Sequence, residues 1–150
     1  MHFSTALVGI VAAASIAVAG PTLKARANAV SAMAEAPEWI IQSFTRTCNK
    51  DNTSCLVSFG VNTQIAPPTN CSYTVTGSPA SQAPTNGITC GPYTVSSSWS
   101  DQFGPKNGFT TWAVVDHKRR VIVWPAYSDR ELVNGQAVTP DKSYAPQALP

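Results

Sequence analysis

The sequence predicts an all-β domain: a small antiparallel β-barrel or sandwich of about six strands, stapled by two disulfides and preceded by an N-terminal signal peptide. Three observations carry this prediction. Apolar residues alternate with polar ones over several stretches between 38 and 127, the period of a half-buried strand. Turn-forming residues interrupt those stretches roughly every ten residues, the rhythm of a sandwich or barrel. Four cysteines, spaced C-x6-C-x15-C-x18-C, are confined to residues 48–90, as in a small exported domain whose core needs covalent help.

The chain opens MHFSTALVGIVAAASIAVAG, with an uncharged apolar run from Ala6 to Ala19. That run is shorter than the ~20 apolar residues a membrane span needs. It fits the apolar region of a signal peptide at 1–19, with Ala17-Val18-Ala19 as a small-x-small cleavage site. Residues 20–37 are alanine-rich with no large aromatic and read as a flexible or pro-segment; Lys24 and Arg26 leave room for further processing. The β core is expected over 38–127 and a proline-punctuated C-terminal extension over 128–150.

EWIIQSFTRT (38–47) is the expected first strand, though its alternation is imperfect and an amphipathic helix fits as an alternative. CNKDNTSC (48–55) follows. No C-x-x-C occurs and His117 is the only histidine after the leader, so zinc and redox chemistry lack their usual spacing. Facing residues of a hairpin share a midpoint. Cys48 and Cys55 centre on the polar turn Lys50-Asp51-Asn52, and Cys71 and Cys90 centre near Ala80-Ser81 within GSPASQAPTNG. Cys55 and Cys71 would centre on Thr63, inside an alternating run. The expected bridges are therefore 48–55 and 71–90, each across one hairpin. Asn52-Thr53-Ser54 and Asn70-Cys71-Ser72 are N-glycosylation sequons, marking Asn52 and Asn70 as candidate sites.

From Cys55, the strand CLVSFGVNTQI sets Val57, Phe59, Val61, Thr63 and Ile65 on one face. The APPTN turn ends it. CSYTVTG points Cys71, Tyr73 and Val75 one way. GITCGPYTVSSSWS aligns Tyr93, Val95, Ser97 and Trp99, with Pro92 implying an edge or bulge. FTTWAVVD and RVIVWPAY are apolar on both faces, which places them mid-sheet, joined by a tight turn at Asp116–Arg119. The core would draw on Trp39, Phe44, Phe59, Tyr73, Val95, Trp99, Trp112, Val114, Ile122 and Trp124. Beyond it, Asn134-Gly135 signals a hairpin between ELV and QAV, and the final residues wrap the surface or fray.

The composition argues against a nucleic-acid binder. Charged residues make up 12% of the chain and the net charge is +2, against ~25% charged in an average domain, so no field attracts nucleic acid. Motifs for serine hydrolases, metalloproteases and phosphate loops are missing. His117 follows Asp116, but neighbours on a strand point to opposite faces, so Asp116 could not easily orient His117 as a triad requires. Glu35 and Glu38 precede the core and Glu131 follows it, so no pair of carboxylates suited to glycoside hydrolysis stands out. Lys118-Arg119-Arg120 is the one basic cluster, read as a solvated hairpin tip or as a contact for acidic polymers, anionic lipid or an acidic protein. Trp124, followed by Pro125 and Tyr127, is also the best candidate for an exposed aromatic contact.

The pattern C-x6-C…NCSYTVTG…ITC…SSSWS…GFTTWAVVD…RRVIVW, over roughly 38–127, resembles the Alternaria major-allergen-like domain and its effector-like relatives among small secreted fungal proteins. The resemblance implies a β-barrel or sandwich without enzymatic activity, acting outside the cell on a host or environmental partner. The extra cysteine that some members use to dimerise is absent, and a homodimer is allowed but not implied.

The functional expectation is thus a secreted, non-enzymatic, effector-like protein binding a host or extracellular protein or a wall polymer. It uses no cofactor, no metal, no nucleic acid and no membrane span. Lys118, Arg119, Arg120, Trp124 and Tyr127 are the candidate contact residues. The alternatives are a small ribonuclease-like hydrolase, in which His117 or Asp116 meets Arg46, Arg120 or Arg130 in a cleft, and a cell-wall carbohydrate or small-ligand binder with a tryptophan-lined groove.

Overall fold

The computed structural model describes residues 37–150; the expected signal peptide and almost all of the 20–37 segment lie outside them. The described chain is all-β, with two antiparallel sheets packed face to face and not closed into a barrel. Ten strands run in order: β1 (Trp39–Cys48), β2 (Ser54–Asn62), β3 (Thr69–Thr76), β4 (Thr85–Cys90), β5 (Tyr93–Ser100), β6 (Phe109–Asp116), β7 (Val121–Val123), β8 (Ala126–Ser128), β9 (Lys142–Tyr144) and β10 (Gln147–Ala148). The first sheet is ordered β3-β2-β1-β9. The second is ordered β10-β7-β6-β5-β4, with β8 also pairing with β6. The strands beyond the expected six are mostly two or three residues long, too short to show a period.

The first strand is β1, and its imperfect alternation has a cause. Gln42 pairs with Gly60 but Thr45 pairs with Ser58, so β1 carries one extra residue. This bulge at Ser43, where φ is 49°, switches the inward set from Trp39 and Ile41 to Phe44 and Arg46. The C-terminal stretch satisfies the backbone it disturbs. Asp141 Oδ1 accepts the Ser43 N–H at 2.9 Å and Phe44 O accepts the Val138 N–H at 2.9 Å.

Between the sheets, Phe44 stacks on Phe59 at 5.2 Å and on Tyr127 at 4.3 Å, and meets the edge of Trp112 at 4.6 Å. Trp39 packs on Tyr93, and the Trp112 indole N–H donates to the Tyr73 hydroxyl at 2.9 Å. Burying these rings is the main apolar stabilisation.

Several expectations are corrected. Thr63 is buried as expected, but Ile65 is 58% exposed because β2 ends at Asn62 and the chain turns away. Trp124 leaves the core for the surface. Pro92 lies in the two-residue β4–β5 loop Gly91-Pro92 and not within a strand. Gly91 has φ of 56°, which a glycine-first hairpin turn requires. Asn134 and Gly135 do form a turn, with φ of 60° and 67° and the Gln136 N–H donating to Val133 O, but no strands flank it. The turn chemistry is local, whereas ELV and QAV find core contacts for Leu132 and Val138 instead of each other.

Cys48 is bonded to Cys55 and Cys71 to Cys90. The first bridge joins facing residues of the β1–β2 hairpin. The second does not span a hairpin: β3 is the edge of one sheet and β4 the edge of the other, so it staples the two sheets together. The midpoint of Cys71 and Cys90 does fall on a turn, but the chain changes sheets there through a 3-10 turn at Ala80–Gln82.

Candidate functional site

The polar groups of the interior are arranged as locks. The β1 bulge turns Arg46 inward, leaving it 8% exposed. Its Nη1 donates to Ser81 O at 3.0 Å and its Nη2 to Asp129 Oδ1 at 2.9 Å. The other oxygen of Asp129 accepts the Trp99 indole N–H at 2.8 Å. Gly108 makes this approach possible, since a Cβ there would lie 2.6 Å from Asp129 Oδ2 and 2.7 Å from the Trp99 ring. Nearby, Lys142 pairs with Glu131 at 2.8 Å, donates to Ala126 O at 3.1 Å and sits 4.5 Å from the Tyr127 ring centre. Partial burial alone would raise Glu131, but bonds from Lys142 and Ser128 outweigh it and hold the carboxyl below its ordinary range.

The expected catalytic groups do not meet. Asp116 is buried, and its Oδ1 accepts the Arg119 N–H at 3.1 Å, closing the β6–β7 turn. His117 is exposed on that turn. Arg46 is engaged with Asp129 instead. Among the described residues, no cluster of His, Cys, Asp and Glu could hold a metal ion.

Lys118, Arg119 and Arg120 are exposed at the same turn. The Arg120 guanidinium donates to the Pro150 main-chain oxygen at 2.9 Å. Asn52 is half-buried: its Nδ2 donates to Ser81 Oγ at 2.8 Å and its Oδ1 accepts the Ser81 N–H at 3.0 Å, tying the hairpin tip to the 3-10 turn. Asn70 is exposed at the start of β3, beside the bridged Cys71.

Trp124 is 50% exposed, but Tyr127, grouped with it as a contact residue, is 1% exposed. Tyr127 faces inward opposite Thr110, and burial pushes its hydroxyl well above the ordinary tyrosine range. The period-two rule explains the split. Val123, Pro125 and Tyr127 share the inner face, and Trp124 and Ala126 share the outer one.

The outer face of the second sheet therefore emerges as the candidate site. Trp124 stands over a shallow pocket of about 210 Å³ lined by Ser96 and Ser98 of β5 and Thr111 and Ala113 of β6. Two further aromatics, which the sequence pattern does not single out, join this face. Phe109 lies two residues before Thr111 on the same side of β6. Phe103, 68% exposed in the β5–β6 loop, stacks on it at 5.7 Å. The parity of GFTTWAVVD could have placed Phe109 there; nothing local foretells that Phe103 folds back onto it.

A second groove, of about 360 Å³, runs between the end of β1 and the Asn134-Gly135 turn and includes Arg46 and Leu132. Both residues are held by core contacts, which makes this groove a seam of the structural lock.

The family model described as "Effector TSP1" matches residues 40–149, spanning all ten strands except the first residue of β1. A curated protein named "Effector TSP1" from Hypocrea virens (strain Gv29-8 / FGSC 10586) is 50% identical over 151 residues, covering 100% of this chain and 100% of its own. With nearly the whole sandwich inside the match, the chain belongs to the Effector TSP1 family.

Proposed function

We propose that this protein is a secreted fungal effector that works by surface contact and not by catalysis, and that its contact surface is the outer face of the second sheet around Trp124. The observation that carries this reading is Trp124 itself. A large aromatic is left half-exposed over an uncharged pocket, while its neighbours in sequence are buried. A stranded indole of this kind is the usual mark of a binding hot spot. The acids support it from the other side: buried Asp116, half-buried Asp129 and exposed Glu131 each hold a structural bond. The family name supports the effector role. The apolar leader at 1–19 supports export, and the early cysteine pairs and the GFTTWAVVD strand support kinship with the Alternaria allergen-like domain.

The test is capture of partners from host extracts and wall preparations by the purified protein, with nuclease and glycosidase assays on the same sample. Contact function predicts a captured component that Trp124→Ala loses and His117→Ala keeps. Turnover abolished by His117→Ala would replace this reading with the hydrolase.

A further inference from the structure

The aromatics on the outer face are not scattered. Phe109, Thr111 and Ala113 succeed one another on the same side of β6, and Ser100, Ser98 and Ser96 face them across the ladder on β5. Phe103 doubles the platform at the Phe109 end, and Trp124 forms the second platform beside Ala113. Four residues of strand separate Phe109 from Ala113, about 14 Å at ~3.4 Å per residue. Between the platforms runs a row of small hydroxyl side chains. None of these strand positions carries a charge, although the chain has ten basic and eight acidic residues. Charge flanks the strands instead: Asp101 and Lys106 lie in the β5–β6 loop beside Phe103, and Lys118, Arg119 and Arg120 on the turn past the end of β6.

We propose that this face binds an uncharged polysaccharide laid along β6, its sugar rings stacking on Trp124 and on the Phe103–Phe109 pair; the inference rests on the surface-contact reading above and names the class of partner. A pyranose ring presents an apolar C–H face and a rim of hydroxyls. The indole and phenyl faces suit the first. Ser and Thr hydroxyls, each both donor and acceptor, suit the second without demanding a fixed register. The missing charge is the deciding feature. An acidic polymer or an anionic lipid surface would call for cations among the aromatics. A protein hot spot sits in a well-packed, fully desolvated pocket, whereas this pocket is open and smaller than the ~300–1,000 Å³ of enclosed ligand sites. A chain of sugars crossing a flat, two-platform face needs no enclosure.

The experiment is co-sedimentation of the purified full-length protein with insoluble cellulose, chitin, β-1,3-glucan and calcium-gelled polygalacturonate, at low and high salt. Tryptophan fluorescence titration with soluble neutral oligosaccharides runs alongside. The expected result is retention on at least one neutral polymer, insensitive to salt. Trp124→Ala and Phe103→Ala should each weaken it about tenfold, Trp124→Phe should restore most of the loss, and replacement of Lys118, Arg119 and Arg120 by alanine should leave it unchanged. Retention on polygalacturonate alone, lost with salt, would overturn the proposal. So would neutral-polymer binding indifferent to both aromatic variants. If no polysaccharide is retained but a host protein is captured through Trp124, the glycan assignment falls and the surface-contact reading stands. If nothing is bound at all, both fall.

Discussion

The two open sides of the sandwich are closed by opposite means. On one side, the edge strands β3 and β4 are joined by the Cys71–Cys90 bridge, and the connecting chain is tied back through Asn52 and Ser81. On the other, a single C-terminal segment lends β9 to the first sheet and, two residues later, β10 to the second. The first closure is covalent and depends on two residues. The second is spread over Val138, Asp141, Lys142, Tyr144 and two short ladders. A bridge acts mainly by restricting the unfolded chain, whereas the clasp acts by covering apolar surface and satisfying backbone groups in the folded one. The two sides should therefore fail differently.

Ending the chain at Ala137 should have the largest effect. It removes both edge strands, uncovers Tyr127 and strips the bulge of its bonds, at a cost of roughly 5 kcal/mol, a large share of a small domain's stability. Urea titration checks this, and a midpoint near that of the full chain would show that the clasp is ornamental. Replacing Cys71 and Cys90 by serine should cost about 3 kcal/mol, more than the same change at Cys48 and Cys55, which close a shorter loop within one hairpin. Equal losses would mean that loop length does not set the difference between the two bridges.

Asp129→Ala leaves the buried Arg46 guanidinium without its counter-charge and should cost about 2 kcal/mol. Lys142→Met tests the clasp alone and should cost about 1 kcal/mol, with a signature in pH. Because the folded Glu131 carboxyl is held below its ordinary range, its pairing contributes stability above the unfolded carboxylate pKa, ~4.3. That contribution is lost as pH falls through the folded value. The wild type should lose stability through this acid window, and the Lys142→Met protein should lose less. Smallest of all, Trp124→Ala should change the melting temperature by an amount equivalent to under ~0.5 kcal/mol, because its ring serves neither closure. A larger loss would make Trp124 structural and weaken the contact reading.

Much of the covalent side is legible in the sequence. Cysteine spacing around a turn midpoint yields the Cys48–Cys55 pairing; it also names Cys71–Cys90, but from a hairpin the fold does not contain, while alternation locates β2, β3, β5 and β6. The clasp is not legible, because strands of two or three residues show no period and Lys142 and Asp141 look like ordinary surface charges. The contact face is half legible. Trp124 stands out from its neighbours, but grouping Tyr127 with it ignores the simple parity that sends the tyrosine the other way. Phe103 gives no signal, since its place depends on a loop folding onto a neighbouring strand.

Local rules, then, decided what each stretch of chain would become: which residues alternate, where glycine and proline turn the backbone, which cysteines come to lie close. The assembly of those pieces belonged to the tertiary structure. It set Cys71–Cys90 between sheets and not within one, turned Arg46 inward through a one-residue bulge, and recruited the tail to both edges. The physical reason is range. Alternation and turn chemistry act over a few residues, whereas sheet membership and edge closure are decided by surfaces that meet only when distant segments pack.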